Sequence, residues 1–112
     1  MRGLVVAVVA ALALALPISA SASVRLVSVT SPIRAGSTAT VVAKVSIRAT
    51  CSIRVLYKSG PSVAQGLYPK RVSTAGRVSW SWRVGTRTTP GRWPITVSCG
   101  HAGTLRTSFV VL

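Results

Sequence analysis

The sequence predicts an all-β fold, a single antiparallel β-sandwich of seven short strands, and three observations predict it. Val, Ile and Thr make up 29 of the 90 residues from Ser23 to Leu112, the β-branched types whose stiff side chains suit a pleated surface. Apolar and polar residues alternate in short runs bounded by clusters of Gly, Pro, Ser and Thr, as in half-buried strands joined by turns. No stretch sustains apolar residues at i, i+3, i+4 and i+7, so no amphipathic helix is expected.

The chain opens with a segment that stands outside this fold. Met1-Arg2 is a short basic start, Leu4 to Leu16 is a run of 13 uninterrupted apolar residues, and Pro17 ends it. Ala20-Ser21-Ala22 then places small residues at the two positions a signal peptidase reads. Thirteen helical residues span roughly 20 Å, short of the ~30 Å hydrocarbon core of a bilayer. The expectation is a secretory signal peptide over 1–22, cleaved after Ala22, and one domain over 23–112. An uncleaved membrane anchor is the alternative, and the length of the run argues against it. No Cys lies near the cleavage site to accept a lipid.

Strands are expected near 24–30, 38–48, 51–58, 70–73, 77–84, 93–99 and 104–111. The turns between them are Ser31-Pro32, Ala35-Gly36-Ser37, Ser59-Gly60-Pro61-Ser62, Thr74-Ala75-Gly76, Thr89-Pro90-Gly91 and Gly100-His101-Ala102-Gly103. Seven short strands at this spacing point to a sandwich. In the third strand Cys51, Ile53, Val55 and Tyr57 share one face, and in the sixth Trp93, Ile95, Val97 and Cys99 do. Antiparallel pairing with Cys51 opposite Cys99 continues as Ile53–Val97, Val55–Ile95 and Tyr57–Trp93, so every inward pair is apolar. A slip of one residue breaks all of them. Val78, Trp80, Trp82 and Val84 form a third inward row, with Ser79, Ser81 and Arg83 outward. Stacking of bases or sugars on the two Trp is the alternative, but their face continues into Val78 and Val84, which favours core packing.

Export carries Cys51 and Cys99 to an oxidising space where a bridge persists. The expected disulfide joins neighbouring strands of one sheet, where non-hydrogen-bonded pairs have suitable spacing. A zinc reading finds only Cys51, Cys99 and His101, one ligand short of a structural site. No metal and no cofactor are expected.

A resemblance is carried by residues in order along the chain. Cys51, the Ser59-Gly60-Pro61-Ser62 loop, Gly66-Leu67, Gly76 and Val78-Ser79-Trp80-Ser81-Trp82 come first. Val84-Gly85, Thr89-Pro90-Gly91, Trp93-Pro94-Ile95, Val97 and Cys99 follow. Over Thr38 to Val111 this resembles the small immunoglobulin-like or fibronectin-III-like modules of secreted bacterial proteins. The resemblance implies a β-sandwich with a non-catalytic binding or spacing role, and it carries no catalytic residues. Members of that family carry an acidic residue before the Gly of the 73–76 turn, where this chain has Ser73-Thr74-Ala75.

Charge bounds function most sharply. The chain holds 14 Lys and Arg, no Asp or Glu, and one His. Paired-carboxylate catalysis, carboxylate-held Mg²⁺ or Ca²⁺ and an acid-oriented Ser-His triad all need side chains that are absent. His101 lies in a Gly-rich turn and reads as an exposed loop residue. The chain is therefore expected not to be an enzyme. The expected mature chain keeps ten Arg with Lys44, Lys58 and Lys70, a surface that attracts polyanions and, through Arg, favours bidentate phosphate contacts.

The candidate polyanion-binding residues are Arg54, Lys58, Lys70, Arg71, Arg83 and Arg106, from outward alternation and loop position. Arg54, Lys58 and Arg106 are expected to face out from one sheet, and Lys44, Arg48 and Arg83 from the other. That spread argues for diffuse attraction, and a merely solvated, arginine-rich surface is the plain alternative. The expected partner is an anionic cell-envelope polymer or a protein, with membrane contact only through the signal peptide or lipid headgroups. Sequence-specific nucleic-acid recognition lacks support, because Asn is absent and Gln65 is the sole Gln. A secreted cationic effector acting on anionic membranes, or a non-specific nucleic-acid binder, is the alternative function.

Overall fold

The computed structural model describes residues 22–112, so the expected signal peptide lies almost wholly outside the described residues. Among the described residues eight strands form: β1 (Val24–Val29), β2 (Thr38–Val45), β3 (Thr50–Tyr57), β4 (Gly60–Pro61), β5 (Lys70–Arg71), β6 (Arg77–Arg83), β7 (Gly91–Ser98) and β8 (Thr104–Val111). A 3-10 turn, Gly100–Ala102, joins the last two. The seven expected strands are all present with shifted ends, and Gly60–Pro61, read as turn, adds a two-residue strand.

The strands make two antiparallel sheets. The first has the order β1-β2-β6 and the second β4-β3-β7-β8, with β5 also paired to β3. Alternation explains the layering. In β2 the buried Ala39, Val41, Ala43 and Val45 alternate with outward residues, and in β6 the buried Val78, Trp80 and Trp82 do the same. Register then matches large to small: Trp82 lies opposite Ala39, and Trp80 opposite Val41. The indoles fill the space a short neighbour leaves, as close packing of an interior requires. From the second sheet Cys51, Val55, Ile95, Val97, Phe109 and Val111 complete the core. The Trp82 and Phe109 rings meet edge to face at 5.6 Å, joining the two layers.

The expected β3–β7 register holds, with Ile53 opposite Val97 and Val55 opposite Ile95. The disulfide Cys51–Cys99 forms within this sheet, with Cα atoms 4.1 Å apart and both residues fully buried. One rung differs. The ladder stops at Val55–Ile95, and on the opposite edge of β3 Tyr57 pairs with Gly60 of β4. Pro94 follows next on β7 and has no N–H to donate. Tyr57 and Trp93 still meet through their rings, edge to face at 6.2 Å. Of the expected core, Val55, Val78, Trp80, Trp82, Ile95 and Val97 are buried, whereas Ile53, Tyr57 and Trp93 are half-buried and pack against it.

Two backbone features position the surface. Gly66 has φ +95°, and a Cβ there would collide with the Ser81 carbonyl oxygen, so the loop before β5 rests directly on β6. After β1 the chain crosses to the second sheet, where Ile33 bridges Val111 in parallel and is buried.

Candidate polyanion-binding surface

Strand alternation lifts the cations outward and cross-strand register decides which of them meet. On the second sheet Arg54 lies opposite Thr96, and Thr96 opposite Arg106, so the two arginines flank a hydroxyl on one row. The next row is Ser52–Ser98–Thr104, a line of hydroxyls. Arg92 on the same face donates from Nη1 to Ser108 Oγ at 3.0 Å. Arg71 is exposed at the edge, paired with Thr50.

The other expected binding residues lie apart from this group. Lys70 is half-buried; its ammonium donates to the Ser79 carbonyl at 2.9 Å and sits 5.3 Å from the Tyr68 ring centroid. Arg83 is on the first sheet and donates from Nε to the Gly36 carbonyl at 3.0 Å. Lys58 follows the last residue of β3 and lines an open cavity of about 560 Å³ with Tyr57, Arg87 and Thr89. At that cavity Trp82 Nε1 donates to the Tyr57 hydroxyl at 3.1 Å. Burial pushes the Tyr57 phenol above its ordinary 10.0, and the Trp82 hydrogen bond opposes that rise.

The densest cationic row was not among the expected site residues. Arg25 of β1 lies opposite Lys44 of β2, and Lys44 lies opposite Arg77 of β6. All three are exposed. Alternation alone marks Lys44 as outward, but the row exists only once β1, β2 and β6 are paired. The matching apolar runs Ala39–Val45 and Val78–Trp82 carry that pairing signal, since antiparallel alignment of one fixes the other.

Chemically the surface offers donors and positive charge, with no side-chain carboxylate in the whole sequence to neutralise it. Among the described residues no three of His, Cys, Asp or Glu gather as metal ligands, and both cysteines are in the disulfide. Among them, too, no helix is long and apolar enough to cross a membrane. No protein-family model matches the chain, and no curated protein matches it.

Proposed function

We propose that the chain is a secreted, non-catalytic, strongly basic immunoglobulin-like module that adheres to a polyanionic polymer of the cell envelope. The observation that carries this reading is the in-register arrangement of exposed Arg and Lys on the outer sheet faces, in a chain with no Asp or Glu. Charges closer together than a Debye length, about 8 Å at physiological salt, act on an anion jointly. A polymer with repeated charges gains from this more than a single ion does. The strand orders β1-β2-β6 and β4-β3-β7-β8 support the immunoglobulin-like or fibronectin-III-like resemblance. The leader pattern of 1–22 and the disulfide support export. The lack of acidic side chains supports a non-catalytic role.

The test is binding of the exported product to isolated wall polymer, anionic vesicles and DNA across a salt series. Saturable binding to wall polymer that survives ~0.15 M salt supports the reading, since that screening length removes diffuse attraction. Leakage of dye from anionic vesicles replaces it with a membrane-active effector. Weak binding to all three ligands that vanishes together overturns it.

A further inference from the structure

The first sheet concentrates charge where nothing in the chain balances it. Arg25, Lys44 and Arg77 occupy one row across three adjacent strands. Neighbouring strands are about 4.8 Å apart, so the row spans about 10 Å from its first Cα to its last. Three like charges directly opposed across strands oppose folding. Their backbones are nevertheless held firmly. Val45 N–H donates to Gly76 O at 2.8 Å, Ser73 N–H to Arg77 O at 2.9 Å, and Arg77 N–H to Ser73 Oγ at 3.2 Å. Gly76 makes that turn with φ +79°. At the other end Ser46 N–H donates to Ser23 O at 3.0 Å.

The rest of this outer face sets the chemistry of what binds. The rows beyond are Ser28–Val42–Ser79, Thr40–Ser81 and Thr38–Arg83. Thr40 and Ser81 share a side-chain hydrogen bond of 2.8 Å. Among the described residues these rows carry hydroxyls, cations and Val42 and no aromatic ring: both tryptophans of β6 point inward, and the exposed Tyr68 lies off the rows, beside Lys70 at the edge of β6. Single-stranded nucleic acids draw much of their binding from bases stacked on aromatic side chains, and these rows offer none. Two guanidinium forks flanking an ammonium suit phosphate oxygens, which accept bidentate hydrogen bonds from Arg.

We propose that the Arg25–Lys44–Arg77 row is the primary binding site for a flexible linear polymer of phosphodiester-linked, non-aromatic units, laid across the strands of the first sheet. This rests on the polyanion reading above and names its site and ligand class. The bound polymer supplies the negative charge the row lacks, so one interaction both holds the ligand and relieves the repulsion.

The test compares two variants that remove equal charge. The full-length chain is expressed with its own leader, and the exported product is titrated with poly(glycerol phosphate) from low salt to ~0.3 M. Arg25→Gln/Lys44→Gln/Arg77→Gln is expected to bind about 100-fold more weakly, roughly fivefold per cation, with the salt slope reduced by about 2–3. Arg54→Gln/Arg92→Gln/Arg106→Gln is expected to lose less than about fivefold, with a slope change under about 1. The first variant must melt no lower than the parent, since it removes repulsion; a lower melting temperature with lost binding overturns the assignment. Equal losses in both variants overturn the row as the site and leave the polyanion reading standing. Parent protein that binds no poly(glycerol phosphate) but binds isolated wall polymer overturns the ligand class alone, and parent protein that binds neither overturns both. Tighter binding of the parent to oligo(dT) of matched phosphate number, or to anionic vesicles, overturns the ligand class.

Discussion

The two sheets carry the same kind of surface in different ways. The second sheet spaces its arginines, with Thr96 between Arg54 and Arg106, and ties Arg92 to Ser108. It is also covalently stapled through Cys51–Cys99. The first sheet sets Arg25, Lys44 and Arg77 side by side and has no staple. What holds it is its inner face, where Trp80 Nε1 donates to Tyr68 O at 2.8 Å and Trp82 reaches Tyr57 and Phe109 of the other layer. The difference teaches that cross-strand register decides where like charges are crowded and where they are spaced.

The largest expected effect falls on the second sheet. Cys51→Ala/Cys99→Ala opens a loop of sequence separation 48 and is expected to lose about 4 kcal/mol, on the order of 20 °C in Tm. A thermal melt checks it, and a loss of only a few degrees means the ladder rather than the bridge holds β3 to β7.

Next comes the contact between the layers. Tyr57→Phe strips the acceptor from the Trp82 indole N–H and is expected to cost about 1–3 kcal/mol in urea unfolding, the penalty of an unpaired buried donor. It also changes the alkaline limb. The folded phenol titrates above the unfolded value of 10.0, so its contribution is complete below pH 10 and is lost as pH rises through the folded value. The difference in stability between parent and variant must therefore shrink above pH 10. A difference constant through that window refutes the burial of the phenol.

Charge effects are smaller and separate the sheets directly. Lys44→Gln removes both opposed pairs of the row and is expected to gain about 0.5–1 kcal/mol at low salt. Arg106→Gln, whose cross-strand neighbour is Thr96, is expected to change stability by less than about 0.5 kcal/mol. Adding salt should stabilise the parent and shrink the gain from Lys44→Gln. Equal gains from both substitutions erase the distinction between the sheets.

The smallest effect is an expected absence of change. With no side-chain carboxylate to protonate, melting temperature should stay nearly level from pH 5 to pH 3, where most proteins lose stability. A steep fall in that window contradicts the electrostatic account.

Much of the fold was legible because strand alternation is a local property. Cys51, Val55, Ile95, Val97 and Cys99 declare their faces and, taken together, their register. Legibility failed where a distant partner intervened. Pro94 of β7 brings no N–H where the ladder would continue, so Tyr57 and Trp93 meet only through their rings. Ser31-Pro32 reads as a turn, but the residue after it, Ile33, becomes a buried bridge to β8. Of the candidate site, Arg54 and Arg106 were placed on one face by alternation and proved to share a row. Alternation gives no sign that Lys70 is held, and only the docking of β5 beside β6 brings its ammonium to the Ser79 carbonyl.

The sequence by itself determined the all-β class, the inward and outward faces of β3, β6 and β7, the disulfide pair and the unbalanced positive charge. These follow from residue type and a period of two, which need no knowledge of neighbours. Only the tertiary structure decided that Arg25, Lys44 and Arg77, from three separate strands, stand in one row. Cross-strand register is a property of pairs of strands, so a charge cluster built on it exists only after the sheet has closed.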